Sequence, residues 1–273
     1  MGITKNKNRV GSFSGSEIIA LTTTGKGELG FGEKAITYIA EKNLERIMGI
    51  SIDTEAEAFP LIWGKAMEER IFNMPDFDPN AEYNLTSDIT ITHPFIDFWV
   101  GSPDGFREIP ERTVFDFKAP SSKKSFALLA LPTSSGLVGI EAMNALRNGF
   151  IYKGVNIPKH KDGEKFYWQL VNNAIVSECD WAELIVYMPY DSELLDIKNS
   201  FGDDPRYKWI VNKSEISSIP DNGFLKNINI IRFKVPKEDK DALSVCVLKA
   251  GKLLIKRSEV SADEQVFNHD QAT

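Results

Sequence analysis

The chain has little with which to staple itself or to hold a soft metal. Across 273 residues there are two cysteines, Cys179 and Cys246, and their separation fits neither a disulfide framework nor a zinc site. The three histidines, His93, His160 and His269, are scattered, which argues against a His-rich metal site. No apolar run reaches the length needed to cross a bilayer. The opening MGITKNKNRVGS is basic and lacks the apolar core of a signal peptide. Position 6 is Asn rather than Ser or Thr, which weakens a myristoylation reading of Met1-Gly2. The glycines of 22–34 precede no Gly-Lys-Ser/Thr, so they do not form a P-loop. Positive charge is also in deficit: 32 Lys and Arg against 39 Asp and Glu leave a net charge of -7. That speaks against a general nucleic-acid coat. It permits an enzyme that confines its basic groups to a groove. Any metal chemistry must then rest on carboxylates, and so on hard ions such as Mg²⁺ or Mn²⁺.

What is present is an ordinary globular composition, 42% apolar and 26% charged. Ser14-Gly15-Ser16-Glu17 has the form of a capping box before Ile18, Ile19 and Leu21, so a helix is expected to start there. Helical spacing runs from Glu33 to Met48, with Gly49 as the stop, and a further helix is expected over 55–73. Extended stretches follow at 83–92, 96–100 and 113–117, rich in β-branched and aromatic residues and separated by turn chemistry. Residues 119–163 form a long connection with room for a helix or two and a lid. A helix at 164–177 leads into the buried strand WAELIVYMP, and NINIIRFKV (227–235) is another strand, after which Pro236 opens a terminal helix. The order predicts one α+β or mixed α/β domain over 1–273.

Two stretches carry chemistry. Asp116 and Lys118 of FDFKAP lie two apart in a predicted strand and share a face. Asp104, in the Pro-Asp-Gly turn of GSPDG, joins them if its strand pairs with 113–118. Two carboxylates can hold divalent ions that stabilise charge on a phosphodiester and lower the pKa of an attacking water. Each piece alone has a plainer reading. Acid-x-Lys recurs at Asp196-Ile197-Lys198 and Glu238-Asp239-Lys240, and Pro-Asp-Gly is a common turn. Asp116 differs in its apolar flank, where a buried charge needs a partner or a metal. Trp63, Trp168 and Trp181 read as packing residues rather than base-stacking platforms.

Taken in order, RVGSFSGSEI (9–18), WGKAMEER (63–70), GSPDG with FDFKAP, and FYWQLVNNAIV (166–176) resemble the phage lambda exonuclease family. These are the YqaJ-type viral recombinases, a branch of the PD-(D/E)xK nuclease superfamily. The resemblance spans about 9–190, with 119–163 as an insertion and 191–273 as a C-terminal extension. It implies a restriction-endonuclease-like core, a central mixed sheet flanked by helices. It also implies metal ligands Asp104, Asp116, the Phe117 carbonyl and the helix-borne Glu68. Lys118 would be catalytic, with Gln169 holding the site or the water, and Arg9 and Ser16 would bind a DNA 5′-phosphate. With Ser14 as N-cap, Ser16 falls in a first helical turn, where free N–H groups favour an anion. Glu69 reads as solvated.

The resemblance departs at the strand acid, which is Asp rather than the commoner Glu, and at the long stretch between Lys118 and Gln169. The ring-shaped trimer of the lambda enzyme is therefore not carried over, although self-association stays open. The function expected is a Mg²⁺-dependent deoxyribonuclease, with Mn²⁺ as a possible substitute, acting 5′-to-3′ on linear duplex DNA. Its setting would be phage recombination or repair in a host cytoplasm, beside a single-strand annealing recombinase. The alternatives are a structure- or single-strand-specific endonuclease of the same superfamily and a non-catalytic DNA-end-binding protein. Lys123 and Lys124 are further candidates for phosphate contacts.

Overall fold

A computed structural model of the chain describes residues 9–27, 29–52, 59–74, 77, 82–86, 89–212 and 216–256. A five-stranded sheet forms its centre. It consists of β2 (Tyr83–Leu85), β5 (Gly105–Arg107), β6 (Thr113–Lys118), β9 (Trp181–Tyr187) and β10 (Ile228–Lys234). Their order is β10-β9-β6-β5-β2; β6 and β9 run parallel and the other pairs antiparallel. A parallel pair needs a long crossover. Residues 119–180 supply it, with α3 (Lys123–Ser134), α4 (Gly139–Asn148), the hairpin β7 (Phe150–Tyr152) and β8 (Val155–Ile157), and α5 (Gly163–Val176).

Both faces of the sheet are covered, which is why its inner strands read as nearly continuous apolar runs. Val114, Leu184, Val186, Ile231 and Phe233 belong to the core cluster that includes residues of α3, α4, α5 and the C-terminal α8 (Lys237–Gly251). Phe115, Phe117, Ile185 and Tyr187 pack on the other side with α2 (Phe59–Phe72), α6 (Leu194–Phe201) and α7 (Lys208–Val211). Pro60 is the second described residue of α2. The part of the predicted helix over 55–58 lies outside the described residues. In α1 (Glu33–Met48), Gly49 closes the helix in the left-handed region at φ 69°. Of its apolar residues Ala35, Tyr38 and Ile39 are buried, whereas Ile36, Ala40, Leu44, Ile47 and Met48 are exposed.

The expected helix at Ser14 is not there. Phe13–Ser14 is a short strand, β1, paired in parallel with β4 (Ile96–Gly101), which also pairs with β3 (Ile91–His93). A 3-10 helix, Ile18–Thr22, follows Glu17 without a side-chain cap bond. Burial of Phe13 and the bond from the Ser14 N–H to Tyr38 Oη (2.9 Å) outweigh the local capping preference. Ser16 therefore lies in a turn between strand and 3-10 helix, not in the first turn of an α-helix. The single stretch expected over 83–92 is likewise two strands, β2 and β3, belonging to different sheets.

Candidate active site

The antiparallel pair β5–β6 places Asp104. Its backbone N–H donates to the Phe115 carbonyl (3.2 Å), and its Oδ2 accepts from the Phe117 N–H at 2.6 Å. Gly105 must follow, since a Cβ there would lie 2.3 Å from the Asn84 carbonyl oxygen. The strand alternation of β6 puts Phe115 and Phe117 into one core and turns Asp116 and Lys118 toward α5. From α5, Gln169 Nε2 donates to Asp116 Oδ1 at 2.8 Å. Lys118 Nζ meets Asp116 Oδ2 as a close ion pair and stands 5.3 Å from the Phe166 ring centroid.

Asp116 is 1% exposed. Among the described residues its Oδ2 takes no directed hydrogen bond, although the Lys118 ammonium is in contact with it. Burial, then the neighbouring Asp116 and Glu68 charges, hold the Asp104 carboxyl well above the usual carboxylate range, against Lys118 and the Phe117 N–H. Burial acts to lower the Lys118 pKa, but the Asp116 and Asp104 carboxylates outweigh it and raise the group overall. A buried Asp116 carboxylate beside the Asp104 carboxyl, whose charge burial disfavours, suits a hard cation. The carboxylate and carbonyl donors available are those Mg²⁺ or Mn²⁺ prefers. Among the described residues, no three His, Cys, Asp or Glu side chains converge closely enough to hold an ion together. Glu68, on α2, instead borders the same cleft and acts on Asp104 and Lys118 through its charge.

These groups line an open cleft of about 1920 Å³. Pockets for drug-sized ligands hold roughly 300–1,000 Å³, so this one suits a larger molecule. Arg9, Lys65, Lys124, Lys159, Lys161 and Arg206 line it, and this acidic protein thus gathers cations around its carboxylate floor. Arg9 Nη2 donates to Ser16 Oγ at 3.4 Å, and Ser14 Oγ lies 3.5 Å from Ser16 Oγ. Lys124 lines the cleft, whereas Lys123, exposed beside it, is not among the lining residues.

Sequence reasoning missed several neighbours. Ser102 and Thr90 share a hydroxyl contact at 3.1 Å on the cleft wall. His160 is 3% exposed; its Nδ1 accepts from the Asp162 N–H (3.1 Å), and its Nε2 lies 2.8 Å from Ser125 Oγ. Asn173 carried one signal, its position one helical turn beyond Gln169. Glu69, read as solvated, accepts from Tyr207 Oη at 3.1 Å and pairs with Arg206. Of the three tryptophans read as packing, Trp63 and Trp168 are buried, and Trp181 is half-buried under the Arg232 guanidinium.

The mixed sheet, its helices on both faces and the hairpin-borne acid beside a strand-borne Asp-x-Lys define a restriction-endonuclease-like core. Solved structures share this fold. One is an alkaline exonuclease (LHK-Exo) from Laribacter hongkongensis, at 12% identity and TM-score 0.52, covering 97% of this chain and 95% of that one. The same enzyme in complex with dAMP gives a TM-score of 0.53. A phage-related exonuclease from Haemophilus somnus 129PT matches at 12% identity and TM-score 0.55, covering 93% of this chain and 96% of that one. No protein-family profile matches the chain. No curated protein matches it either.

Proposed function

We propose that this chain is a metal-dependent deoxyribonuclease that degrades linear double-stranded DNA from a 5′-phosphorylated end. The observation that carries the reading is the convergence of Asp104, Asp116, Lys118 and Gln169 under a cation-lined cleft. The fold neighbours are exonucleases, one of them described with dAMP. A nucleoside 5′-monophosphate is what stepwise attack from a 5′-phosphate end releases.

Asp104, Asp116 and the Phe117 carbonyl would hold Mg²⁺, or Mn²⁺ in its place, with Glu68 acting from α2. Bound there, the ion supplies charge stabilisation at the phosphoryl group and a lowered pKa for the attacking water. Gln169 fixes the carboxylate plane of Asp116 through its 2.8 Å bond. Lys118 offers an ammonium to the negative charge that develops on the phosphoryl oxygens. Arg9 and Ser16 receive the terminal phosphate and set which phosphodiester lies over the carboxylates. Water attacks phosphorus, the P–O3′ bond breaks, and the departing O3′ takes a proton. The shortened strand again ends in a 5′-phosphate, so each cycle renews the group that is recognised. Duplex ends as substrate, a single-strand annealing partner, self-association and a phage recombination setting belong to the same proposal.

The test is digestion of linear duplex DNA beside a closed circle, in Mg²⁺ and in EDTA. Loss of the linear form alone, and only in Mg²⁺, is expected. Cutting of the circle would move the reading to an endonuclease, and tight end binding without cutting to an end-binding protein.

A further inference from the structure

Asn173 is fully buried on α5 and borders the cleft. Gln169 and Asn173 stand four residues apart, so they share one helix face. Gln169 is used by Asp116. The side-chain N–H group of Asn173, in contrast, has no hydrogen-bond partner among the described residues. A buried donor without a partner costs free energy in the resting protein, and such a donor at the edge of a cleft suggests an acceptor that arrives from outside.

The surroundings are built to hold that amide in one orientation. Asn172 Oδ1 accepts from Trp99 Nε1 at 2.6 Å, and Asn172 Nδ2 donates to the Val100 carbonyl at 3.1 Å and, at 3.4 Å, to Asn173 Oδ1. The Asn173 oxygen is thereby turned toward Asn172. Two glycines leave room for it. Ser14 pairs with Val100 in the parallel register of β1 and β4, and the next residue on each strand is Gly15 and Gly101. A Cβ on Gly15 would lie 3.1 Å from Asn173 Oδ1, and one on Gly101 would lie 2.7 Å from it. The oxygen thus faces Asn172 and the glycines, and the amide nitrogen is the end left without a partner among the described residues. Directly beside Gly15 is Ser16, whose Oγ already accepts from Arg9.

We infer that Asn173 reads the end of the DNA strand, donating its side-chain N–H to a non-bridging oxygen of the 5′-terminal phosphate beside Arg9 and Ser16. This rests on the proposed reading of Arg9 and Ser16 as the phosphate contacts, and adds to them an uncharged, rigidly held donor. Arg9 supplies attraction to any phosphate. A fixed neutral donor supplies direction, and so separates a terminal phosphate from a terminal hydroxyl.

The test compares binding of short duplexes that differ only in a 5′-phosphate or a 5′-hydroxyl, measured in EDTA so that no cleavage intervenes. Asn173→Leu removes the donor at nearly constant volume and leaves Asn172 Nδ2 its bond to Val100. The expected result is an unchanged or raised Tm with the phosphate preference reduced about tenfold, the scale of a lost hydrogen bond to a charged group. Asn173→Asp, which keeps the shape and adds a negative charge, is expected to abolish the preference, and it decides the question if the leucine variant does not fold. A preference retained in both variants overturns the role of Asn173 and leaves the Arg9 and Ser16 reading standing. A fall in Tm with both ends weakened alike shows a structural residue and also overturns it. Equal binding of the two ends by the unaltered protein overturns both readings together.

Discussion

Gln169 on α5 donates to Asp116 on β6 at 2.8 Å, across an interval of chain that holds two helices and a hairpin. The bond ties the crossover to the strand it returns to. It also fixes one oxygen of a carboxylate whose other oxygen takes no directed bond among the described residues. A group that orients a ligand in this way acts on rate more than on binding. Gln169→Leu is therefore expected to lower kcat by about 10–100-fold, the usual cost of losing such an outer partner, with little change in Kd for duplex DNA. Steady-state rates and equilibrium binding of the same variant would check both halves.

Asp104 has a second, structural duty, because its Oδ2 accepts the Phe117 N–H at 2.6 Å. Asp104→Ala strands that N–H and should cost about 1–3 kcal/mol in urea unfolding. Asp104→Asn keeps an acceptor in place and removes a charge that burial resists. Its stability should stay close to that of the unaltered protein while nuclease activity is lost. Equal destabilisation by both variants would contradict this division of roles.

Of the two adjacent lysines at the start of α3, only Lys124 is among the residues lining the cleft. Lys124→Ala is expected to flatten the dependence of log Kobs on log salt by about 0.9, the contribution of one phosphate contact on duplex DNA. Lys123→Ala should leave the slope alone. An identical effect from both would indicate diffuse attraction rather than a contact.

His160 joins the crossover to the cleft, and its pKa is lowered, first by burial and then by Lys161, with Asp162 opposing. Protonation would also end the bond that Nδ1 accepts from the Asp162 N–H. A lowered folded pKa contributes stability that is present above the unfolded value, about 6.5 for histidine, and lost as pH falls through the folded value. Unfolding midpoints between pH 8 and 5 should fall on the acid side for the unaltered protein, and less steeply for His160→Gln.

Packing of α5 against the small sheet leaves no room at Gly101, where a Cβ would lie 2.6 Å from Val176 Cγ2 and 2.7 Å from Asn173 Oδ1. Both neighbours are buried core side chains. Gly101→Ala is expected to destabilise by about 1–3 kcal/mol, the range for overpacking. Thermal or urea unfolding would read it directly.

Much of this was legible from alternation and local spacing. A period of two put Asp116 and Lys118 on one face of β6, and the turn chemistry of Pro-Asp-Gly put Asp104 at the start of the neighbouring strand. Helical spacing marked α1 and α5, and Pro236 marked the opening of α8. What local patterns do not register is pairing at long range. Ser14 satisfies a capping motif, yet Phe13 is drawn into a strand beside Trp99. The exposure of Ile36 and Leu44 depends on what packs against α1, which periodicity does not report. Asn173 reads as one polar residue on an apolar helix. Its unpartnered N–H emerges only once Gly15, Gly101 and Asn172 are brought around it.

The central claim is metal-dependent hydrolysis over Asp104, Asp116 and Lys118. Its most direct test is the rate of nucleotide release from a 5′-phosphorylated linear duplex at saturating DNA, across a Mg²⁺ titration, for the unaltered protein and Asp116→Asn. The account predicts a rate that rises with Mg²⁺, vanishes in EDTA, and is absent in the variant although DNA binding persists. Equal rates in EDTA, or from Asp116→Asn, would contradict it.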